Sequence, residues 1–494
     1  MNNVKIPDLT DYIAGEFLPP TVAITATSAS STPLSSSVQA VNRNPHDNSP
    51  IGQQMATSEA NLERALAAAW QVHQSGVWRN LPIAERADLV TRMGAWLAER
   101  AEDIAQLESL TTGIVINTSR LVNMITHLTF TASAEMLRGG STLQTLSGEL
   151  AEVEVHRQPW GPAACIAPWN APAALAAHKV GAALAAGCPV ILKPSEWSPY
   201  SAVFLARAAE AVDLPAGVFQ LVNGRADVGA YLVNDARIRC VSFTGGLAGG
   251  RAVAQACARD FKPAQLELGG NNAMVVLADA DLDKTAQGIV AGMTTLNGQW
   301  CRALGRLIVQ DTIYNDLLER TLEALAAVKV GHALDESSQM GPLVHARHRG
   351  HLQTAVAHLQ SRGGTVHQVT PLPDLPGTFF APALITGIDS SETLEEIFGP
   401  VTAVHPFKTD AEAVQLANQT PYGLGGYVFG EQEHALTIAR QMETGGVKVN
   451  GVSLIGLHPM APRPAWKLSG FGEEGTAETF HFFMGRRVVG VAGV

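Results

Sequence analysis

The chain has 494 residues, of which 34 are lysine or arginine and 45 are aspartate or glutamate, so its formal net charge is −11. At roughly 150 residues per domain, this length has room for about three structural units. Hydrophobic residues make up 46% of the chain and charged residues 16%, which excludes a disordered protein. The acidic balance, without a dense run of lysine and arginine, argues against nucleic acid as a partner.

The five cysteines are scattered and form no CxxC pair, so the sequence favours neither a disulfide framework nor a metal site. The N-terminus lacks a basic segment followed by an apolar run. Prolines interrupt the most apolar regions before the ~18 residues that a membrane-spanning helix needs. We therefore expect a cytoplasmic protein with no membrane partner and no metal requirement.

In chain order, the uncharged serine- and threonine-rich residues 20–38 predict a surface loop or an irregular hairpin. Residues 58–120 have apolar side chains at spacings of three and four, which predicts helices packed on a sheet. Short apolar runs then alternate with alanine-rich segments, a pattern typical of a parallel sheet with helices on both faces. A second α/β region follows to about residue 467, and residues 480–494 are again β-like. The predicted strands of the first sheet are 163–167, 189–193, 218–222, 240–243 and 273–277.

The turns that follow the strands of a doubly wound sheet are where a ligand binds. The glycine-rich turn at 243–250 opens a helix, so its backbone N–H groups and the helix dipole could hold a pyrophosphate. It is not GxGxxG, and alone it is interpreted more simply as a tight turn without a ligand. In a second turn, Lys193 and Glu196 could bind ribose hydroxyls, and the carboxylate would repel a 2′-phosphate. A surface ion pair is the alternative there.

A lone cysteine such as Cys301 is more often a small buried hydrophobe than a nucleophile. Two other residues favour the nucleophile. Glu267 could act as a general base and Asn170 as an oxyanion donor, and acyl chemistry needs these three parts together.

Taken together, the motifs resemble those of the NAD(P)-dependent aldehyde dehydrogenase superfamily, in its hydrolytic type that does not acylate CoA. The match extends from about Asn44 to Val489. The motifs occur in the superfamily's order: Pro168-Trp169-Asn170, Lys193-Pro194-Ser195-Glu196, Phe243-Thr244-Gly245, Glu267-Leu268-Gly269-Gly270, Gly298-Gln299-Trp300-Cys301 and Glu395-Glu396-Ile397-Phe398-Gly399-Pro400.

This resemblance implies an α/β fold with a Rossmann-type cofactor domain, an α/β catalytic domain and a small β oligomerisation element, assembled as a homodimer or homotetramer. The cofactor domain is expected at residues 1–139 and 159–268, and the catalytic domain at residues 269–470. The oligomerisation element is expected at residues 140–158 and 480–494.

The resemblance also implies roles. Cys301 attacks a small-molecule aldehyde, Asn170 holds the oxyanion, and Glu267 serves as base and activates the water that releases the acid. Lys179 and Glu474 correspond to a proton exit route behind Glu267, with an exposed salt-bridging pair as the alternative. A CoA-acylating semialdehyde dehydrogenase is disfavoured, because such relatives generally lack this glutamate. A non-catalytic binding protein on the same fold is disfavoured because the catalytic residues are all present.

The implied cofactor is NAD, with NADP disfavoured by the carboxylate of Glu196. The chain departs from the superfamily at Gly246, where a serine hydroxyl often reaches the pyrophosphate. The implied cofactor contacts are Ile166, Pro168, Trp169, Lys193, Ser195, Glu196, Gly224, Gly229, Phe243, Thr244, Gly245, Gly246, Gly250, Leu268, Glu396 and Phe398.

The implied substrate tunnel also departs from its relatives. Ala171 replaces a frequent phenylalanine, and His178 replaces a tryptophan or an arginine, so we expect a larger and wetter mouth. Inward-pointing arginine or histidine side chains would match an acidic or hydroxylated aromatic aldehyde. The alternatives are arginines that face solvent and a structural histidine. The expected tunnel residues are Ala171, Leu175, His178, Trp300, Arg302 and Arg463.

Overall fold

A computed structural model describes residues 4–25, 39–140, 142–148 and 152–491. Most of the loop or hairpin predicted at 20–38 therefore lies outside the described residues. The helices predicted within residues 58–120 are confirmed. The helices are α1 (Glu59–Ser75), α2 (Ile83–Ala98), α3 (Ala101–Thr112), α4 (Ile116–Arg138), α5 (Pro172–Ala186), α6 (Ala202–Ala211), α7 (Ala226–Asn234), α8 (Leu247–Arg259), α9 (Leu282–Thr294), α10 (Tyr314–Ala326), α11 (Ala346–Ser361), α12 (Asp410–Asn418), α13 (Gln432–Ala439) and α14 (Thr476–Phe482).

Helix α1 shows how the local sequence sets an element. Ser58 caps its first turn by accepting the N–H of Asn61, and Gly76 ends it in the left-handed conformation at φ 75°. Its apolar stripe, which includes Leu62 and Leu66, is buried against the first sheet. The spacing of apolar residues by three and four therefore identifies the face of α1 that packs on the sheet.

The first sheet has a parallel centre with antiparallel edges. Alternate residues of the strand Ala163–Ile166 enter two different cores, one with α2, α4, α5 and α6 and the other with α1, α7 and α8. The predicted α/β fold with helices on both faces is thus confirmed. From edge to edge the strands are β2 (Glu16–Leu18), β1 (Asp11–Ile13), β11 (Phe219–Leu221), β10 (Val190–Lys193), β9 (Ala163–Ile166), β12 (Cys240–Thr244), β13 (Ala264–Glu267) and β24 (Gly470–Phe471).

One predicted strand was assigned to the wrong sheet. The run predicted at 273–277 forms a strand of the second sheet, and the fifth parallel strand of the first sheet is instead β13. The apolar pattern missed β13 because two of its four residues, Gln265 and Glu267, are polar although both are buried.

The second sheet is parallel except at one edge, where β16 runs antiparallel to β17. One core fills the space between the sheet and helices α9 and α10, and another lies under α12 and α13. This region therefore repeats the layered α/β arrangement. Its strands, in spatial order, are β16 (Thr365–His367), β17 (Ala383–Thr386), β18 (Val401–Phe407), β15 (Leu304–Gln310), β14 (Asn272–Val276), β20 (Gly426–Phe429) and β21 (Val447–Val449).

A three-stranded antiparallel sheet joins residues 143–147 and 152–159 to the end of the described chain. Its strands are β7 (Leu143–Ser147), β8 (Glu152–Pro159) and β26 (Met484–Gly490). The β-like prediction is wrong for residues 480–482, which belong to α14, because Phe480 packs into the first core from a short helix. Four short pairs complete the structure: β3 (Val22–Ala23) with β6 (Met55–Ala56), β4 (Val41–Arg43) with β5 (Pro50–Gln53), β19 (Tyr422–Gly423) with β23 (Trp466–Lys467), and β22 (Arg463–Pro464) with β25 (Glu473–Glu474).

Candidate active site

The candidate site lies where the order of the parallel strands reverses. Strand β9 pairs with β10 on one side and with β12 on the other. The chain adds β10 and β11 on the first side of β9, and then crosses over to add β12 and β13 on the second side. The carboxyl ends of such strands meet at one edge, which is where ligands of open α/β sheets bind. Asn170 follows β9, the glycine turn follows β12, and Glu267 ends β13. Three of the sequence motifs thus converge at this edge.

The segment before Cys301 has an unusual backbone. Leu296, Asn297 and Gly298 all adopt positive φ, at 50°, 58° and 72°. The buried side chain of Asn297 donates to the carbonyls of Gly113 and Pro342, at 2.8 and 3.0 Å. These bonds anchor a conformation that costs ~1–3 kcal/mol at a non-glycine residue. Sequence reasoning did not single out Asn297, although an Asn-Gly pair is a recognised signal of left-handed backbone.

The thiol of Cys301 and the carboxylate of Glu267 lie close enough together to shift each other's pKa. Burial raises the pKa of the Cys301 thiol well above its usual value, the negative charge of Glu267 adds to the rise, and Arg302 opposes it. Burial and the charge of Glu474 raise the pKa of Glu267 to about 7, again against Arg302. The nucleophile is therefore a neutral thiol near neutral pH, beside a base whose pKa is close to ambient pH.

Asn170 is fixed to the segment that carries the nucleophile. Its Nδ2 donates to the carbonyl oxygen of Gln299 at 3.0 Å, which uses one of its two amide protons. From the other side, Asn272 donates to the carbonyls of Cys301 and Ala303, at 2.9 and 2.7 Å. Asn272, which the motifs did not single out, thus holds the backbone at the nucleophile in place.

Lys179 and Glu474 form a buried ion pair, so the predicted alternative of an exposed pair is wrong. Lys179 Nζ lies 3.1 Å from Glu474 Oε1, with the side chains 0% and 8% exposed. The ammonium also donates to Ser242 Oγ at 3.0 Å. Burial alone would raise the pKa of Glu474, but Lys179, His178 and Arg463 outweigh it and lower this pKa to about 2. Glu474 is therefore charged, and its charge acts on Glu267.

We expect Lys179→Met to lower the free energy of unfolding by about 3–5 kcal/mol, because it removes the ammonium 3.1 Å from the buried Glu474 carboxylate and leaves that carboxylate with the more distant Arg463 at 3.9 Å. Denaturant titration of the purified variant measures the loss. Lys329→Met is the control, since Lys329 and Asp335 form an exposed pair at 3.5 Å that is worth at most about 1 kcal/mol. Equal losses in the two variants would contradict the special role of the buried pair.

The glycine turn after β12 combines close packing with open space. A Cβ at Gly245 would lie 2.6 Å from the ring of Phe243, and one at Gly250 would lie 2.4 Å from Leu268. A Cβ at Gly246 would meet nothing within 4 Å. The buried hydroxyl of Thr244 has no hydrogen-bond partner in the described part of the chain. The turn therefore offers an open concavity and a polar atom that lacks a partner.

The polar side chains of the turn after β10 form most of their hydrogen bonds within the protein. The buried Lys193 ammonium donates to the carbonyls of Pro194 and Gly224, at 2.9 and 2.8 Å, so one N–H remains free for another acceptor. Ser195 Oγ lies 3.5 Å from a carboxylate oxygen of the half-buried Glu196. The alternative of a simple surface ion pair does not describe Lys193, which is buried.

Glu396 precedes strand β18 of the second sheet, and its side chain lies at this same edge of the first sheet. Its Oε1 accepts the N–H of Gly270 at 2.8 Å, and burial raises its pKa to about 8. A Cβ at Gly269 would collide with this carboxylate at 1.9 Å. The remaining expected cofactor residues lie at or next to this edge: Ile166, Pro168 and Trp169 at the end of β9, Gly224 and Gly229 after β11, and Phe398 two residues after Glu396.

The expected tunnel residues fall into two groups. Ala171 and Leu175 share an apolar cluster with Trp300 and Cys301. His178 and Arg463 lie instead beside the buried ion pair: their nitrogens are 3.3 Å apart, and His178 Nε2 lies 2.9 Å from Thr479 Oγ1. Burial lowers the pKa of His178 to about 3, so this histidine is neutral.

Arg302 is close enough to the nucleophile to affect its pKa, and Lys448 is close enough to Arg302 to be affected by its charge. Arg302 donates to the carbonyl of Leu424 at 2.8 Å. Lys448, which sequence reasoning missed, donates to the carbonyls of Ser453 and Ile455. Burial and the charge of Arg302 lower the pKa of Lys448 to about 8. Neither cation has a carboxylate within ion-pair distance among the described residues.

A cavity of about 270 Å³ adjoins the site behind the Glu396 loop. It is lined by Gly270, Trp300, Glu396 and Phe398 together with residues of α11. In the described ranges, no group of three or more His, Cys, Asp or Glu residues could hold a metal ion. No helix there is long and apolar enough to cross a membrane.

Comparison with known proteins agrees with this geometry. The profile of the aldehyde dehydrogenase family matches residues 34–489. The chain belongs to the aldehyde dehydrogenase family. Similar relatives of this aldehyde dehydrogenase include geranial dehydrogenase of Castellaniella defragrans, 33% identical over 437 residues, which are 86% of this chain and 89% of the relative. Glutarate-semialdehyde dehydrogenase of Pseudomonas aeruginosa is 32% identical over 442 residues, 88% and 90% of the two chains.

Solved structures show the same fold. Betaine aldehyde dehydrogenase from Staphylococcus aureus in complex with NAD+ is 28% identical with a TM-score of 0.90, and the match covers 98% of this chain and 94% of that one. The NAD-dependent aldehyde dehydrogenase from Sinorhizobium meliloti is 30% identical with a TM-score of 0.90, covering 99% and 95%. The resemblance recognised in the motifs is thereby confirmed over nearly the whole chain.

Proposed function

We propose that this aldehyde dehydrogenase oxidises its substrate to a carboxylic acid with NAD+ and water. The observation that carries the proposal is the proximity of the Cys301 thiol to Glu267, whose pKa is raised to about 7. A nucleophile beside a base, with an amide donor fixed to the same segment, supplies the parts that acyl chemistry requires.

The residues act in two stages. As the sulfur of Cys301 bonds to the aldehyde carbon, its proton passes to Glu267, and the oxyanion is held by the free N–H of Asn170 and the backbone N–H of Cys301. NAD+, when bound, supplies the acceptor for the hydride of this carbon, so the carbon remains on Cys301 as a thioester. Glu267 releases the proton of the thiol to solvent and then takes a proton from a water molecule that attacks the thioester. The acid leaves, and Glu267 returns this proton to the sulfur, which restores the thiol.

The glycine turn and its neighbours fit the dinucleotide. The N-terminus of α8 and the open space at Gly246 suit a pyrophosphate, and Lys193 retains one donor for a ribose hydroxyl. The half-buried carboxylate of Glu196 disfavours a 2′-phosphate and so favours NAD over NADP. The hydroxyl of Thr244, which has no partner among the described residues, and the buried carboxylate of Glu396 support a nicotinamide position beside them.

Gly246→Ser should bind NAD about fivefold more tightly, because its hydroxyl would add one net hydrogen bond of about 1 kcal/mol to the pyrophosphate. The backbone at φ −76° and ψ 158° and the empty surroundings both accept a side chain. The measurement is the dissociation constant of NAD by fluorescence titration. Gly246→Ala is the matched control, because it adds the Cβ without the hydroxyl. Equal affinities of the two variants would contradict the prediction.

We further propose a substrate whose far end is acidic or aromatic. Arg302, which acts electrostatically on the nucleophile, and Lys448, which lies near Arg302, have no carboxylate partner in the described chain and would attract an anionic group. The relatives that are named glutarate-semialdehyde dehydrogenase and phenylacetaldehyde dehydrogenase are consistent with these two classes. Arg463 and His178 contribute less, because they contact each other and the buried ion pair.

The domain organisation and assembly are likewise proposals. The first two sheets would correspond to the cofactor and catalytic domains with the expected boundaries. The three-stranded sheet exposes large apolar residues on both of its outer strands, Leu143 and Leu146 on β7 and Val488 and Val489 on β26. Such exposure favours contact with a second copy of the chain in a homodimer or homotetramer. We propose the cytoplasm as the compartment, because a reactive thiol needs a reducing environment.

The test is NADH formation, followed by absorbance, with a panel of aliphatic, acidic and aromatic aldehydes, together with identification of the product. We expect NADH and free carboxylic acid without CoA, and faster turnover of acidic or aromatic aldehydes than of aliphatic ones. No NADH from any aldehyde would overturn the proposed activity. NADH formation that requires CoA, with an acyl-CoA product, would instead support the acylating alternative.

A further inference from the structure

A chain of aromatic rings crosses from the first sheet to the second beside the candidate cofactor groove. Trp197 follows Glu196 in the turn after β10, and its ring centroid lies 3.9 Å from that of His345. His345 stands at the start of α11, which packs on the second sheet through an apolar core. The stack therefore joins two parts of the molecule that have separate cores.

Trp169 extends this contact towards the nucleophile. Its ring lies 6.3 Å from His345, 5.4 Å from His348 and 5.3 Å from Phe398. His348 Nε2 lies 2.9 Å from the carbonyl oxygen of Phe398, so the histidine donates to the loop that carries Glu396. The aromatic chain thus runs from Glu196 at one end to Glu396 and Phe398 at the other.

The two histidines keep this geometry without carrying charge. His345 Nδ1 accepts the N–H of His348 at 2.9 Å, which caps α11 and places the ring proton on Nε2. Burial lowers the pKa of His345 to about 3 and that of His348 to about 4. Both rings are therefore neutral around pH 7 and contact their neighbours as aromatic groups.

The ends of the aromatic chain coincide with the two ends of the proposed cofactor groove, on which this inference rests. Glu196 belongs to the proposed ribose site and Phe398 to the proposed nicotinamide site. An extended dinucleotide between them must run beside the rings. The contact between Trp197 and His345 joins the two sides of that groove, so any separation of the two sides must break it.

We propose that Trp197 and His345 form an aromatic latch across the groove that slows the release of NADH. They are positioning residues, because they act on the width of the groove. An aromatic pair of this kind typically changes an equilibrium by roughly 2- to 12-fold. Opening the latch should therefore accelerate NADH dissociation by that factor, while the steps at Cys301 keep their rates.

The test is the dissociation rate of bound NADH, followed by its fluorescence in stopped flow after displacement with excess NAD. Trp197→Ala and His345→Asn should each release NADH roughly 2- to 12-fold faster than the natural protein. Asparagine retains a side-chain acceptor for the helix cap, so α11 keeps its start. Trp197→Phe, which preserves a ring, should fall between. The matched control is His73→Asn, since Trp70 and His73 form a ring contact at 5.3 Å within α1, away from the groove.

The double variant decides whether the two residues act as one latch. If they do, Trp197→Ala combined with His345→Asn should release NADH no faster than either single variant. Independent additive effects, or release rates equal to that of the natural protein, would overturn the latch. A single-turnover rate of NADH formation that falls with the latch open would also overturn it, because it would indicate general distortion. Failure of the natural protein to bind NADH would instead refute the proposed cofactor.

Discussion

Replacing the nucleophile by Cys301→Ala should reduce aldehyde oxidation to the background rate. Removing the nucleophile of a covalent catalyst costs on the order of 10⁶-fold in kcat. Cys301 is half-buried and its backbone is held by Asn272, so the variant should fold normally and still bind NAD. The measurements are NADH formation by absorbance and NAD binding by fluorescence.

The matched control is Cys257→Ala. Cys257 is one of the four buried free cysteines, and it packs in a core with α1 and α7. The Cys257→Ala variant should have a somewhat lower free energy of unfolding but an unchanged turnover rate. A Cys301→Ala protein that forms NADH at a rate comparable with the natural protein would refute the covalent mechanism.

Glu267→Gln should lower kcat by roughly 10²- to 10⁴-fold, the usual contribution of a positioned general base. Glutamine keeps the size of the side chain but takes no proton from the thiol or from water. Because hydrolysis of the thioester also depends on this base, a fraction of the enzyme should carry a covalent acyl group on Cys301. Intact-protein mass spectrometry after exposure to aldehyde and NAD measures that fraction.

The same residue sets the expected pH dependence. A base acts when it is unprotonated, so the activity of the natural protein should rise as the pH increases through about 7, the raised pKa of Glu267. This rise is the acidic limb of the pH–activity profile, and it should be absent in Glu267→Gln. Glu473→Gln removes an exposed carboxylate next to Glu474 and should leave the limb unchanged. A limb near pH 7 that persists in Glu267→Gln would assign it to another group.

Much of the fold follows from short-range patterns. The apolar spacing of three and four predicts the helices within residues 58–120, and short continuous apolar runs predict the strands β9, β10, β11 and β12. The prediction failed at β13 and at residues 480–482, where burial of Gln265 and Glu267 and the packing of Phe480 depend on distant segments. Local patterns do not contain such contacts.

In the candidate site, too, local motifs predict some features, whereas features that depend on distant segments are missed. The motifs identified Cys301, Glu267 and Asn170 as candidates, and the structure brings their strand ends and loops together. They did not show that Lys179 and Glu474 are buried, because the contact spans nearly three hundred positions of the chain. They also missed Asn297, whose side chain binds the carbonyls of Gly113 and Pro342, 184 and 45 positions away. The Asn-Gly pair indicates left-handed backbone, but it does not indicate these two contacts.

The edge of the first sheet has a consequence for synthesis of the protein. Strand β24 pairs with β13, placing Gly470 opposite Glu267, and the N–H of Leu268 donates to the carbonyl of Ser469 at 2.9 Å. The base is thus held by a segment that a ribosome produces long after the base itself, since translation proceeds from the N-terminus. A nascent chain that already contains Glu267, Asn170 and Cys301 still lacks Glu474 and the strand beside the base. The reactive centre is therefore completed only after Glu474 has been translated, so chains that terminate before this residue should be catalytically inactive.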